Sequence, residues 1–242
     1  FVGGETAEQG VVVANDLFNY HVSSILDYSI EGLTEEKQFD EVRDVMLHLV
    51  DLAKTNDSIP FVVFKPTAFG RIELFEKVGK KQALTSEEEK SWANIRQRFE
   101  AVCQKGYDLD VNIMVDAEET WMQDSADDLT DEMMVKYNTK RALIWNTLQM
   151  YRHDRLAYLK EMHAKAEREG YYLGFKIVRG AYMEKERARA QAESYPSPIQ
   201  PNKEASDRDY NLALEFIAAH HGRVGLFAGS HNEESCELLI KL

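Results

Sequence analysis

The sequence is poor in cysteine: 242 residues include only Cys103 and Cys236. They belong to no CxxC pair, which argues against a disulfide framework and fits a reducing compartment. Positive charge is scarce as well, 29 basic residues against 42 acidic, for a formal net charge of −13. That balance excludes a nucleic-acid surface as the main business of the protein, while leaving room for a local basic pocket. No apolar run approaches the length that crosses a membrane. HExxH, Cys/His clusters and carboxylate loops with metal spacing are missing, so no metal site is expected. GxGxxG and the P-loop are missing too, which disfavours a nicotinamide cofactor held in Rossmann fashion, and no GxSxG elbow is present. Three of the five prolines fall in the one stretch "SYPSPIQPNKEA", read as an extended loop. The opening "FVGGETAEQG" has neither Met nor the layout of a signal peptide and reads as the middle of a longer chain.

What is present is a chain that is 44% hydrophobic, enough for the core of one large domain. Short apolar runs alternate with long charged segments of helical pattern. The strand-like runs are "VSSILDYSIE" (22–31), "IPFVVFK" (59–65), "VNIMVDAEE" (111–119), "ALIWNTLQ" (142–149), "GFKIVRGAY" (174–182) and "RVGLFAGSHN" (223–232). Between them, "SEEEKSWANIRQRFEAVCQKG" predicts a helix capped by Ser86 and ending at Gly106. "SADDLTDEMMVKY" and "RLAYLKEMHAKAEREG" predict two more, the second closing on Gly170. "ASDRDYNLALEFIAAHHG" predicts a helix capped by Ser206 and stopped by Gly222. Regular βα alternation implies a parallel sheet.

The run "GFKIVRGAY" poses a chemical question, because it sets Lys176, Arg179 and Tyr182 among core-forming residues. A core strand has no use for an unpaired cation. The pattern recurs: the runs end in Lys65, in Asp116 and Glu118, in Gln149, in Arg179 and Tyr182, and in Ser230, His231 and Asn232. In a parallel βα array those ends share the face where ligands bind. Strand parity aligns Lys65 with Val63 and Phe61, Asp116 with Asn112, Met114 and Glu118, and Lys176 with Val178, Gly180 and Tyr182. An acid, two cations and a phenol then converge at one mouth, and Gly180 leaves room there for a flat ligand.

Structural readings stand beside the functional ones. Lys65, Asp116 and Lys176 suit an ion-pair cluster as well as a site, but three strands supplying one level favours a site. Tyr182 alone suits core packing, His231 in "GSHN" suits a ligand contact, and His153 reads as surface. The acid runs "TEEKQFDE" and "TSEEEKS" read as solvated helix starts. Two other classes fit: a barrel enzyme forming a Schiff base at Lys65 or Lys176, and an inactive barrel serving as an interaction domain.

Six segments in order, "FVVFKPTAFGR", "VDAEETW", "NTLQMYRHDRLAYL", "KIVRGAYMEKERARA", "YPSPIQPNKEASDRDYN" and "AGSHNEES", resemble proline dehydrogenase of the single-function bacterial and mitochondrial type. The resemblance runs through the whole chain. It implies an α/β fold, a (β/α)8 TIM-like barrel, that binds FAD and oxidises L-proline to Δ1-pyrroline-5-carboxylate. It also implies a quinone electron acceptor and pyrroline-5-carboxylate dehydrogenase as a partner. The location implied is the bacterial cytoplasm, peripheral at the inner membrane, or the mitochondrion. By the same resemblance Asp116 and Lys176 are catalytic, and Lys65 and Tyr182 bind substrate. Gln149, Arg179, Gly180, Ala181, Ser230 and His231 hold the cofactor, and Glu31 gates the site by pairing with Lys176.

One departure matters. The family ends with two more strands and a helix bearing paired arginines that grip the proline carboxylate, whereas this sequence stops at "ELLIKL" and contains no Arg-Arg pair. Residues 1–242 are therefore expected to form a single barrel domain of about six βα units, incomplete at its C-terminal end. In such a sheet Ile25, Leu26, Leu226 and Phe227 are expected to face water along the two open edges.

Overall fold

The computed structural model describes residues 3–4, 6–28 and 32–242. Six parallel strands follow one another in chain order across one sheet: β1 (Leu26–Asp27), β2 (Phe61–Phe64), β3 (Asn112–Val115), β4 (Ile144–Gln149), β5 (Leu173–Val178) and β6 (Val224–Ala228). The described helices are α1 (Ala7–Phe18), α2 (Glu36–Lys54), α3 (Ile72–Gly79), α4 (Ser86–Leu109), α5 (Thr120–Tyr137), α6 (Arg155–Glu169), α7 (Met183–Ala192), α8 (Lys203–Ala219) and α9 (Glu233–Lys241). This is the α/β, TIM-like barrel architecture, with six of its βα units among the described residues.

The sheet is curled. Phe61 of β2 and Phe227 of β6 meet edge to face, with ring centroids 5.6 Å apart, and Phe61 also meets Trp145 of β4 at 5.2 Å. Rings from strands four positions apart touch only if the sheet wraps around them. Val63, Met114 and Trp145 form the floor inside this wrap. The indole needs bare backbone beside it: a Cβ on Gly174 would lie 2.5 Å from Trp145, and one on Gly225 would lie 2.6 Å away. The opposite face packs on the helices, where Val62, Phe64, Ile113, Val115, Ile144, Leu173, Phe175 and Ile177 are buried. Burying each such side chain contributes about 1.5–3 kcal/mol. Parity therefore splits every strand into a core face and a lumen face, and the lumen faces of the strand ends make the site.

The expected edge exposure is corrected. Ile25, Leu26, Leu226 and Phe227 are half-buried. Leu26 lies under α1, so close that a Cβ on Gly10 would sit 3.0 Å from it, and Phe227 is sheltered by Phe61. Element ends also differ from expectation. The first strand is only Leu26–Asp27. Thr85, not Ser86, caps α4: its hydroxyl accepts from Glu88 N at 3.3 Å, and the Glu88 carboxylate accepts from Thr85 N at 2.8 Å. That helix runs past Gly106 to Leu109 and stops at Asp110, which is left-handed with φ 56°. Helix α8 is capped by Asn202, whose side chain accepts from Ala205 N at 2.9 Å, so Ser206 is inside the helix. Gly170 ends α6 in the left-handed region as expected, with φ 81°.

Candidate active site

The strand register brings the charged ends to one level. Phe64 pairs with Val115, and Asp116 N donates to Phe64 O at 2.9 Å, which sets Lys65 beside Asp116. Thr147 pairs with Lys176, and Lys176 with Phe227. One lumen row thus reads Lys65, Asp116, Thr147, Lys176, Phe227. Lys176 Nζ and the Asp116 carboxylate form an ion pair. Thr147 donates its hydroxyl to Val115 O at 2.9 Å and lies 3.3 Å from the same carboxylate. Lys65 Nζ lies 3.7 Å from the Asp27 carboxylate. Thr147 is buried, whereas Lys65, Asp116 and Lys176 remain partly open to the lumen, which is where a ligand meets them.

Above this row opens a cavity of about 800 Å³. Among the described residues its charged lining is Lys65, Asp116, Lys176, Arg179 and Lys203, four cations against one acid in a chain whose net charge is −13. Gln149, Gly180, Ala181, Tyr182, Ser230 and His231 also face it. All ten residues assigned to catalysis, substrate or cofactor thus line one space. Glu31 lies outside the described residues.

Several placements differ from the sequence reading in detail. Arg179 is tightly held. Its Nε donates to Asp207, its two terminal nitrogens donate to Ser230 Oγ at 2.9 Å and Ser235 Oγ at 3.0 Å, and the guanidinium lies over the Tyr210 ring at 4.4 Å. Burial alone would raise the Asp207 carboxyl, but the bonds from Lys203 and Arg179 hold it below the usual value. Gln149 spends its amide on the backbone, donating to Glu118 O at 2.7 Å and accepting from Ala181 N at 3.2 Å. Gly180 is required for a different reason than expected. Its φ is 136°, and a Cβ there would lie 2.5 Å from the Tyr151 ring, so its bareness serves packing behind the loop. His153 is exposed in the turn before α6.

Thr147, Asp27, Lys203 and Asp207 escaped the sequence reading. Thr147 shares strand parity with Gln149, so it was findable; Lys203 and Asp207 come from a helix far along the chain and were not. Glu118, expected at the lumen as a strand-end acid, is instead buried and turned toward Thr67, whose N–H and hydroxyl donate to it at 2.9 and 2.6 Å. Burial holds its carboxyl above the ordinary value, with the Thr67 bonds a partial offset.

This geometry can be set beside known proteins. Carbapenem antibiotics biosynthesis protein CarD of Pectobacterium carotovorum subsp. carotovorum is 34% identical over 241 residues, which cover 99% of this chain and 63% of that protein. Mitochondrial proline dehydrogenase 1 of Caenorhabditis elegans is 41% identical over 166 residues, 66% of this chain and 27% of that protein. The human mitochondrial proline dehydrogenase 1 is 36% identical over 160 residues, 65% of this chain and 27% of that protein. This chain therefore spans less than two thirds of the length of each of these relatives. Among solved structures, proline utilization A of Bdellovibrio bacteriovorus, inactivated by N-propargylglycine, superposes with a TM-score of 0.86 at 18% identity. It covers 99% of this chain and 26% of that one, and this likeness carries the fold. The family described as proline dehydrogenase matches residues 12–242, so the chain belongs to the proline dehydrogenase family.

Proposed function

We propose that the protein oxidises L-proline to Δ1-pyrroline-5-carboxylate, the first step of proline catabolism, with bound FAD as the electron acceptor. The observation that carries this is the Lys65–Asp116–Thr147–Lys176 row beneath a cationic cavity of about 800 Å³. The residues present fit a flavin dinucleotide. The four lining cations suit a diphosphate and an electron-rich ring, and Gly180 and Ala181 line the same space. When bound, the flavin supplies two-electron acceptor chemistry that no side chain here provides.

In this reading Asp116 holds the substrate's ring nitrogen and takes up its proton, and Lys176 stabilises negative charge that develops on the acceptor. Lys65 and Tyr182 wall the substrate pocket, while Ser230 and His231 flank the cofactor with Gln149, Arg179, Gly180 and Ala181. Holding both reactants against each other is worth up to roughly 7–11 kcal/mol of barrier. Ammonium binding at Asp116 competes with Lys176, so substrate entry frees the lysine for the acceptor. Glu31 keeps its proposed role as a gate.

The whole protein is proposed to pass electrons to a quinone and its product to pyrroline-5-carboxylate dehydrogenase. Among the described residues no helix is long and apolar enough to cross a membrane. We place the protein in the bacterial cytoplasm, peripheral at the inner membrane, or in the mitochondrion of a eukaryote. Residues 1–242 act as a single barrel domain. Denaturing the purified protein should release FAD, and mixing with L-proline without oxygen should bleach the bound flavin. Protein that stays colourless after FAD is supplied overturns the reading.

A further inference from the structure

Two buried carboxylates near the cavity do no chemistry in the scheme above, and they are held alike. Glu118 accepts the N–H and the hydroxyl of Thr67. Glu186, on α7 and fully buried, accepts the N–H and the hydroxyl of Thr120, both at 2.6 Å. The partners lie 51 and 66 residues apart in sequence. A threonine presents these two donors side by side, and its branched Cβ limits their rotation. A carboxylate with two oxygens matches them as a fork.

Local chain connections turn these two contacts into a sequence of links. Thr67 follows Lys65 by two residues, and Glu118 follows Asp116 by two, so the first fork ties the Lys65 loop to the Asp116 loop. Thr120 opens α5, four residues after Asp116. Glu186 N donates to Tyr182 O at 2.9 Å, the first helical bond of α7. The second fork therefore ties the Asp116 loop to the turn that carries Tyr182. Gln149 adds an inner tie through Glu118 O and Ala181 N, and the Lys185–Glu119 ion pair adds an outer one.

The helix ends show that this is more than routine capping. Helices α4, α8 and α9 are capped by their own N-cap side chains, Thr85, Asn202 and Asn232. Helix α5 has no such bond at Glu119, and its first N–H is served by Glu186 from another βα unit. Local polar caps would satisfy the helix without burying a carboxylate, which is costly. Remote carboxylates add fixed spacing between units.

Resting on the proposed proline-oxidising reading, we infer that the Thr67–Glu118 and Thr120–Glu186 forks set the spacing of Lys65, Asp116 and Tyr182, which makes Glu118 and Glu186 positioning residues for the substrate pocket. Placement errors of this kind fall on substrate binding and alignment rather than on the fold.

The test combines amide hydrogen exchange with steady-state kinetics on Thr67→Val, Thr120→Val, Glu186→Ala and Glu186→Gln. Thr67→Val should speed exchange across residues 116–118, and Thr120→Val and Glu186→Ala should speed it across 181–183, each by about tenfold. Glutamine can accept the Thr120 N–H and donate to its hydroxyl, so Glu186→Gln should stay near wild type. The KM for proline should rise roughly tenfold in Thr120→Val, with a smaller change in kcat and unchanged flavin content. Exchange changes confined to residues flanking each substitution overturn the inference, as does a uniform rise with loss of global stability. A wild-type protein that fails to oxidise proline defeats the function proposed above, while the exchange pattern still decides the role of the forks.

Discussion

Lys176 and Asp116 form an ion pair although β5 and β3, which carry them, are separated by β4. Strands one removed lie roughly 10 Å apart, at about 4.8 Å per step. An aspartate cannot reach across that gap, but the four-carbon stem of lysine can. Thr147 on the intervening strand steadies the acid from between them. The pair neutralises both groups while leaving each partly open to the cavity, so a substrate ammonium can take the acid and release the cation.

Asp116→Ala and Lys176→Ala should therefore lower the rate of flavin reduction by proline by roughly 100-fold each, about 2.7 kcal/mol of barrier. The fold should lose little, because a partly exposed pair contributes about 1 kcal/mol or less. Rapid-mixing kinetics and urea unfolding on the same preparations separate the two effects. Wild-type reduction rates would return the pair to a structural role.

Lys65→Ala should act differently. Lys65 sits beside Asp27 at the end of the lumen row and makes no ion pair with Asp116 among the described residues. It should raise the KM for proline by roughly tenfold and change kcat less. Unchanged KM with reduced kcat would place Lys65 at the reacting atoms instead.

Gly180→Ala should destabilise the protein by about 2 kcal/mol or more. The backbone there costs about 1–3 kcal/mol for any side chain, and the added methyl meets the Tyr151 ring. Urea midpoints measure it. A shift within about 0.5 kcal/mol, the range of neutral surface changes, would contradict the packing role given to this glycine.

Burial holds the carboxyls of Glu118 and Glu186 above the usual 4.5. As pH rises, the unfolded chain releases those two protons first. The stability these groups contribute is thus full below pH 4.5 and falls as pH climbs through their folded-state values. Glu118→Gln and Glu186→Gln should each flatten that fall, leaving a smaller loss of stability with rising pH than in wild type. Groups shifted the other way, such as Asp154 and Asp207, are common to all three proteins and cancel in the comparison. Parallel stability curves would show that neither carboxyl is held up by burial.

Much of the site was legible because strand parity has a period of two and parallel strands present their ends on one face. Those two facts alone place Lys65, Asp116 and Lys176 together. Where geometry chooses among equivalent residues, the sequence is silent. Thr85 and Ser86 stand side by side, each with a glutamate three residues on, and only the backbone decides that Thr85 caps the helix. Ser206 looked like a cap but lies one turn inside α8, where its hydroxyl returns to Asn202 O at 3.4 Å. Glu186 was hidden for another reason. It sits in "MEKERARA", a segment whose charges suggest a solvated helix, and nothing local distinguishes the one acid that turns inward. Glu118 misled by parity, since a residue past the last strand position no longer obeys it.

The measurement that bears most directly on the central claim is anaerobic rapid mixing of the flavin-loaded protein with L-proline, following the visible band of oxidised flavin. The account predicts that the band bleaches in a proline-dependent phase that slows sharply in Asp116→Ala and Lys176→Ala at equal flavin content. A band that proline leaves unchanged in folded, flavin-loaded wild-type protein would contradict it.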